Sequence, residues 1–218
     1  MWMNQAVGTR LQCLGLVAVL GACWACGDRE SADSEDAVAT SLSPTARPDI
    51  VETLSDDLAA RRHPSDGGGR AWLEEGAPRA VAGQPGTWTV VYEAGSLGIA
   101  EGGVLFFQAP PFWGWSPPQV SYPEAPGFTE ITTPATDVEL RPETLGEGLL
   151  AIHVGARPLS DGERVRITYG AGPQGARADR YAERDSPFWI GVDGDGDGIR
   201  GLVPDPPTVD VGRARRSA

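Results

Sequence analysis

The chain has 218 residues and a formal net charge of −12, with 18 Lys and Arg against 30 Asp and Glu. That balance, with no basic cluster beyond Arg213, Arg215 and Arg216, excludes nucleic acid as a partner. Its two histidines, His63 and His153, lie too far apart in sequence to suggest a histidine-rich metal centre.

The first residues carry an export signal. Arg10, an apolar run over 11–19, and the small residues Gly21 and Ala22 supply the positive start, apolar core and cut site that secretion requires. The run is too short to span a bilayer. Leu20, Gly21, Ala22 and Cys23 read as a bacterial lipobox, in which Cys23 is acylated on its sulfur and becomes the first residue of the mature chain. An ordinary secretory signal cut nearby, for instance before Cys26, is the competing reading. Two or more acyl chains anchor a protein stably, so the expectation is a membrane-anchored lipoprotein of a bacterial cell envelope. Trp24 directly after Cys23, in place of Asp, points to the outer membrane.

All three cysteines, Cys13, Cys23 and Cys26, lie in or beside the signal. No intramolecular disulfide is expected, and the exported domain must depend on its own core. Cys26 is open to three readings: a stray thiol, a second acylation site or a dimer link.

Residues 23–69 read as an acidic tether. The stretch 27–49 is rich in Asp, Glu, Ser and Ala, has no aromatic residue, and cannot bury enough apolar surface to offset ordering. A short helix is expected over 49–62, where Ile50, Leu54 and Leu58 recur at one-turn spacing. Pro64 and the run Gly67, Gly68 and Gly69 close the segment.

Residues 70–211 change to period two, punctuated by Gly and Pro. Over 87–93, Trp88, Val90 and Tyr92 fall on one face and Thr87, Thr89 and Glu93 on the other. Strands are likewise predicted over 104–108, 128–133, 136–140, 149–154, 164–169, 188–192 and 208–211. Asp161 and Gly162 form a turn signal that predicts an antiparallel pairing of the strands over 149–154 and 164–169. The fold class is all-β, an antiparallel β-sandwich of about seven to nine strands, with a barrel as the lesser alternative. Residues 212–218 form a basic tail.

Three motifs bear on chemistry. In DGDGDGI, over 193–199, Asp193, Asp195 and Asp197 can turn carboxylates toward one hard cation, and Ile199 can offer its carbonyl. The position where an EF-hand needs a bidentate Glu is Pro204, so the motif is either a calcium-stabilised turn or a tight hairpin using Asp and Gly for their backbone freedom. Trp113 and Trp115, on a proline-stiffened loop over 110–119, either contact a ligand or protein partner or cap the sandwich core. Residues 94–98, AGSLG, resemble a nucleophile elbow around Ser96, but no helical pattern follows them. His153 reads as a structural strand residue, and no catalytic assembly is expected.

Blocks over 86–107, 113–119, 172–198 and 203–211 together resemble the N-terminal β-rich region of exported bacterial proteins classed as domain-of-unknown-function family 3604. In that family a larger part follows that resembles PHP-type metal-dependent hydrolases, with metal-binding histidines and acids. No position here matches those catalytic motifs, so the resemblance implies a fold and a separate hydrolase domain as a protein partner, and no activity of this chain. It also favours structural roles, or packing against that partner, for the 115–119 and 193–198 segments. The expected function is a non-catalytic, lipid-anchored binding or accessory module. A truncated or split piece of such a hydrolase, and a calcium-stabilised structural domain, are the alternatives.

Overall fold

The computed structural model describes residues 61–74, 79–110 and 114–213. Cys23, Cys26, the signal, residues 23–60, Trp113 and residues 214–218 lie outside the described residues. Of the helix expected over 49–62 only Arg61 and Arg62 are described, and they carry no regular structure.

The fold is all-β. In chain order the strands are β1 (Arg70–Leu73), β2 (Arg79–Val81), β3 (Pro85–Gly86), β4 (Trp88–Glu93), β5 (Val104–Gln108), β6 (Thr129–Thr132) and β7 (Glu139–Thr144). They continue with β8 (Leu149–Gly155), β9 (Arg164–Tyr169), β10 (Ala176–Arg177), β11 (Glu183–Pro187), β12 (Trp189–Asp193), β13 (Gly201–Leu202) and β14 (Thr208–Gly212). A 3-10 turn at Gly146–Gly148 precedes β8. Two principal antiparallel sheets carry the fold, a four-stranded one in the order β1-β4-β9-β6 and a five-stranded one in the order β13-β12-β5-β8-β7. The short remaining strands form a β11-β14-β2 sheet, whose β14–β2 pairing is parallel, and a β10-β3 pair.

Period-two alternation produces the core. Trp88, Val90 and Tyr92 of β4 and Val165, Ile167 and Tyr169 of β9 project from one sheet. Leu105 and Phe107 of β5, Leu150 and Ile152 of β8, and Ile190 of β12 belong to the same buried cluster from the other sheet. At its centre Trp88, Phe107, Trp115, Tyr169 and Phe188 pack ring against ring, with centroids from 5.2 Å (Trp88–Trp115) to 6.4 Å (Trp115–Tyr169) apart. The Tyr169 hydroxyl donates to the Ser116 carbonyl. Burial pushes that phenol, and the Tyr92 phenol, well above the ordinary tyrosine range.

Three expectations need correction. First, β8 and β9 are not hydrogen-bonded neighbours; they lie in different sheets. After β8 the chain turns through Ala156, at φ +63°, and Leu159 pairs with Ile99 in a single antiparallel bridge before the Asp161–Gly162 turn delivers β9 to the facing sheet. Arg157 stiffens this crossing with a fork to both Glu163 oxygens (2.7 Å each) and a bond to Asp137 (2.6 Å). Second, the strand expected over 136–140 is β7, which starts later and runs through Pro142. As the edge of the five-stranded sheet, β7 tolerates a residue with no N–H to donate. Third, residues 63–69, assigned by the sequence to the tether, are folded onto the domain. A glycine run resembles a linker in composition, but here it permits close backbone approach: a Cβ on Gly69, at φ +95°, would stand 2.4 Å from the Glu93 carbonyl oxygen.

Candidate functional site

The DGDGDGI motif follows β12, and its first aspartate turns inward. Asp193 is only 2% exposed; its Oδ1 accepts from the Gly196 N–H (2.8 Å) and its Oδ2 from the Gly198 N–H (2.9 Å). Both oxygens thus close the turn, which Gly196 and Gly198 enter at positive φ. Asp195 and Asp197 face solvent, and Asp197 Oδ1 accepts from the Ile199 N–H (2.7 Å).

A third exposed-side carboxylate comes from the segment over 63–69. Gly67 donates to the Val192 carbonyl (3.1 Å), and Asp66 accepts from the Gly194 N–H (2.9 Å) and the His63 N–H (2.8 Å). This clasp brings one oxygen each of Asp66, Asp195 and Asp197 within 4.8 Å of one another. The sequence grouped Asp193, Asp195, Asp197 and Ile199; the structure groups Asp66 with Asp195 and Asp197, and engages Asp193 in backbone bonds. Three carboxylates at this spacing repel unless solvated or neutralised, and they offer part of the all-oxygen shell that a hard divalent cation takes. Nothing in the local pattern HPSDGGG announces Asp66, because its neighbours in the cluster come from the far end of the domain.

Ser96 and His153, the serine and histidine singled out in the sequence, lie in separate hollows. Ser96 and Leu97 form a turn closed by Gly98 N–H to Gly95 carbonyl (2.8 Å), and Ile99 then joins its bridge to Leu159, so no helix follows and no elbow forms. Ser96 opens onto a cleft of about 390 Å³ with Ser65, Arg70, Glu93 and Asp161. His153 lies in β8 beside Arg141 of β7, with its Nε2 3.1 Å from Glu143 Oε2, in a separate small hollow. His63 Nδ1 is 2.6 Å from Ser65 Oγ, a contact the sequence reading did not anticipate. Ser65 is only 4% exposed, and a Cβ on Gly194 would stand 2.1 Å from its hydroxyl oxygen, so the pair pins the clasp.

Of the two roles open to Trp115, the structure places it in the core. It is 7% exposed and stacks edge-on against Trp88 and Phe188. Its loop is held to β10 by the bonds Ser116 N–H to Arg177 carbonyl (3.0 Å) and Arg177 N–H to Ser116 Oγ (2.9 Å). Among the described residues Trp72 of β1 and Trp189 of β12 are partly exposed, and Trp72, at the boundary of the expected tether, carries no signal in the sequence. No protein-family model, curated protein or solved structure matches the chain.

Proposed function

We propose that this protein is a non-catalytic binding or accessory module of the bacterial envelope, anchored through lipid on Cys23. The anchor rests on the lipobox over 20–23. The observation that best supports a non-catalytic role is the employment of three groups of candidate reactive residues: Asp193 closes a turn, Ser65 and His63 pin a loop, and His153 pairs with Glu143. Mass spectrometry of the mature N-terminal peptide tests the anchor, with an acylated Cys23 expected; an unmodified Cys23 or a cut elsewhere overturns it. Pull-down from envelope extracts tests the module, with a bound envelope component expected. A co-purified catalytic subunit would instead support the split-hydrolase reading, as would a histidine-rich hydrolase segment in the adjacent downstream reading frame.

A calcium-stabilised domain is the second reading, favoured by the convergence of Asp66, Asp195 and Asp197. A cation specific for the folded state raises stability by about 2.7 kcal/mol at a hundred times its dissociation constant. Millimolar calcium is therefore expected to raise the melting temperature and to release or absorb heat on titration, and Asp66→Asn to reduce both. A flat titration with no melting shift removes this reading.

A further inference from the structure

The solvent face of the four-stranded sheet carries an arrangement that the core does not require. Register aligns Arg70, Glu93 and Arg164 in one row across β1, β4 and β9, and Trp72, Val91 and Arg166 in the next, with Thr132 of β6 continuing it. Glu93, whose side chain is 14% exposed, binds Arg70 through Oε1 (2.6 Å) and Arg164 through Oε2 (2.7 Å). These two guanidiniums hold its carboxyl below the ordinary glutamate range. Both also lie over the Trp72 ring, at 5.3 and 5.4 Å from its centroid. Arg166 pairs with Glu74 on the next row.

Beside this stack lies a hollow of about 380 Å³, lined by Trp72, Glu74, Val91, Thr132, Arg164 and Arg166. That volume falls within the roughly 300–1,000 Å³ typical of small-ligand sites. The hollow is lined by the Arg164 and Arg166 guanidiniums and the Glu74 carboxylate, with Arg70 and Glu93 on the bracing row and the exposed Glu130 on the same face one row beyond Thr132. Each guanidinium has five N–H donors, more than the carboxylates contacting it consume. An indole beside forked donors, a carboxylate and a hydroxyl matches a ring with one apolar C–H face, a polar rim and a single negative charge.

We propose that this face binds an acidic glycan, with a hexuronate ring against Trp72 and its carboxylate at the Arg164 and Arg166 guanidiniums. The cross-strand ion pairs hold these side chains in place before the ligand arrives, which reduces the ordering cost of binding. The assignment deepens the reading of the chain as a binding module by naming its ligand class. Its failure is distinguishable from failure of the anchor: an acylated Cys23 without glycan binding removes the ligand and leaves the anchor in place.

The test is isothermal titration of the full chain in detergent micelles, in calcium-free buffer, with oligogalacturonate, a neutral cello-oligosaccharide and poly-glutamate. Saturable binding of oligogalacturonate is expected, at least tenfold tighter than either control. Trp72→Ala and Arg166→Lys are each expected to weaken it at least tenfold. Arg166→Lys keeps the charge and loses the fork, so it serves where Trp72→Ala fails to fold. No binding, equal binding of poly-glutamate or of the neutral sugar, or binding unchanged in a folded Trp72→Ala or in Arg166→Lys overturns the proposal.

Discussion

Asp193 and Asp195 stand two residues apart and meet opposite physical demands. Asp193 is buried and accepts two backbone N–H groups, whereas Asp195 is exposed in a cluster of like charge. Removing a charged acceptor from a closed turn costs about 2 kcal/mol, while an exposed substitution usually stays within about 0.5 kcal/mol. Asp193→Ala is therefore expected to lower the melting temperature by about 4–8 °C, at roughly 2–4 °C per kcal/mol for a domain of this size. Asp195→Ala is expected to leave it unchanged or raise it slightly in calcium-free buffer; calorimetry of the two variants makes the comparison. The alternation of Asp and Gly over 193–198 was legible in the sequence as a turn with carboxylates. Which carboxylates cluster was not, because Asp66, the third member beside Asp195 and Asp197, is brought in by tertiary packing.

At the scale of elements, the long strands could be read from period two, since β4, β5, β8 and β9 each bury one face completely enough to enforce alternation. The two-residue strands β3, β10 and β13 are too short to have a period. The β8–β9 pairing misled because an Asp-Gly turn serves a hairpin and a sheet-to-sheet crossing equally well, and only the Ile99–Leu159 bridge selects the second. Arg157 on that crossing holds the Glu163 and Asp137 carboxyls below their ordinary range through its hydrogen bonds. A depressed carboxylate adds stability that is fully present above its unfolded value, about 4.3 for Glu and 3.9 for Asp, and is lost as pH falls through the folded value. Melting temperature is thus expected to decline below about pH 4.3, and the decline to be shallower in Arg157→Gln; parallel acid limbs in a melting series would contradict this. Gly194 tests the clasp. An added Cβ would lie 2.1 Å from Ser65 Oγ and 2.4 Å from Ser65 Cβ, so Gly194→Ala is expected to cost about 1–3 kcal/mol. Faster hydrogen exchange at the Gly67 amide, which bonds to Val192, is the local readout.

For the whole molecule, two sheets close over an aromatic centre in which Tyr169 is held neutral by burial. The unfolded chain ionises its tyrosines near pH 10 while the folded chain does not, so stability is fully present below about pH 10 and falls as pH rises. Tyr169→Phe is expected to lower stability at neutral pH, through loss of the bond to the Ser116 carbonyl, and to flatten the alkaline decline. Melting curves from pH 8 to 11 check both signs. The class of fold was legible in composition and periodicity, whereas the glycine-rich clasp read as linker. That clasp bears on how the domain carries load. A pull applied to the chain at Arg61 reaches β12 and the Gly194 turn through Asp66 and Gly67, then passes three residues later into β1 and the other sheet. Traction at that end is shared by both halves of the sandwich, and shears the Gly67–Val192 and Asp66–Gly194 bonds before it can peel either sheet from its edge.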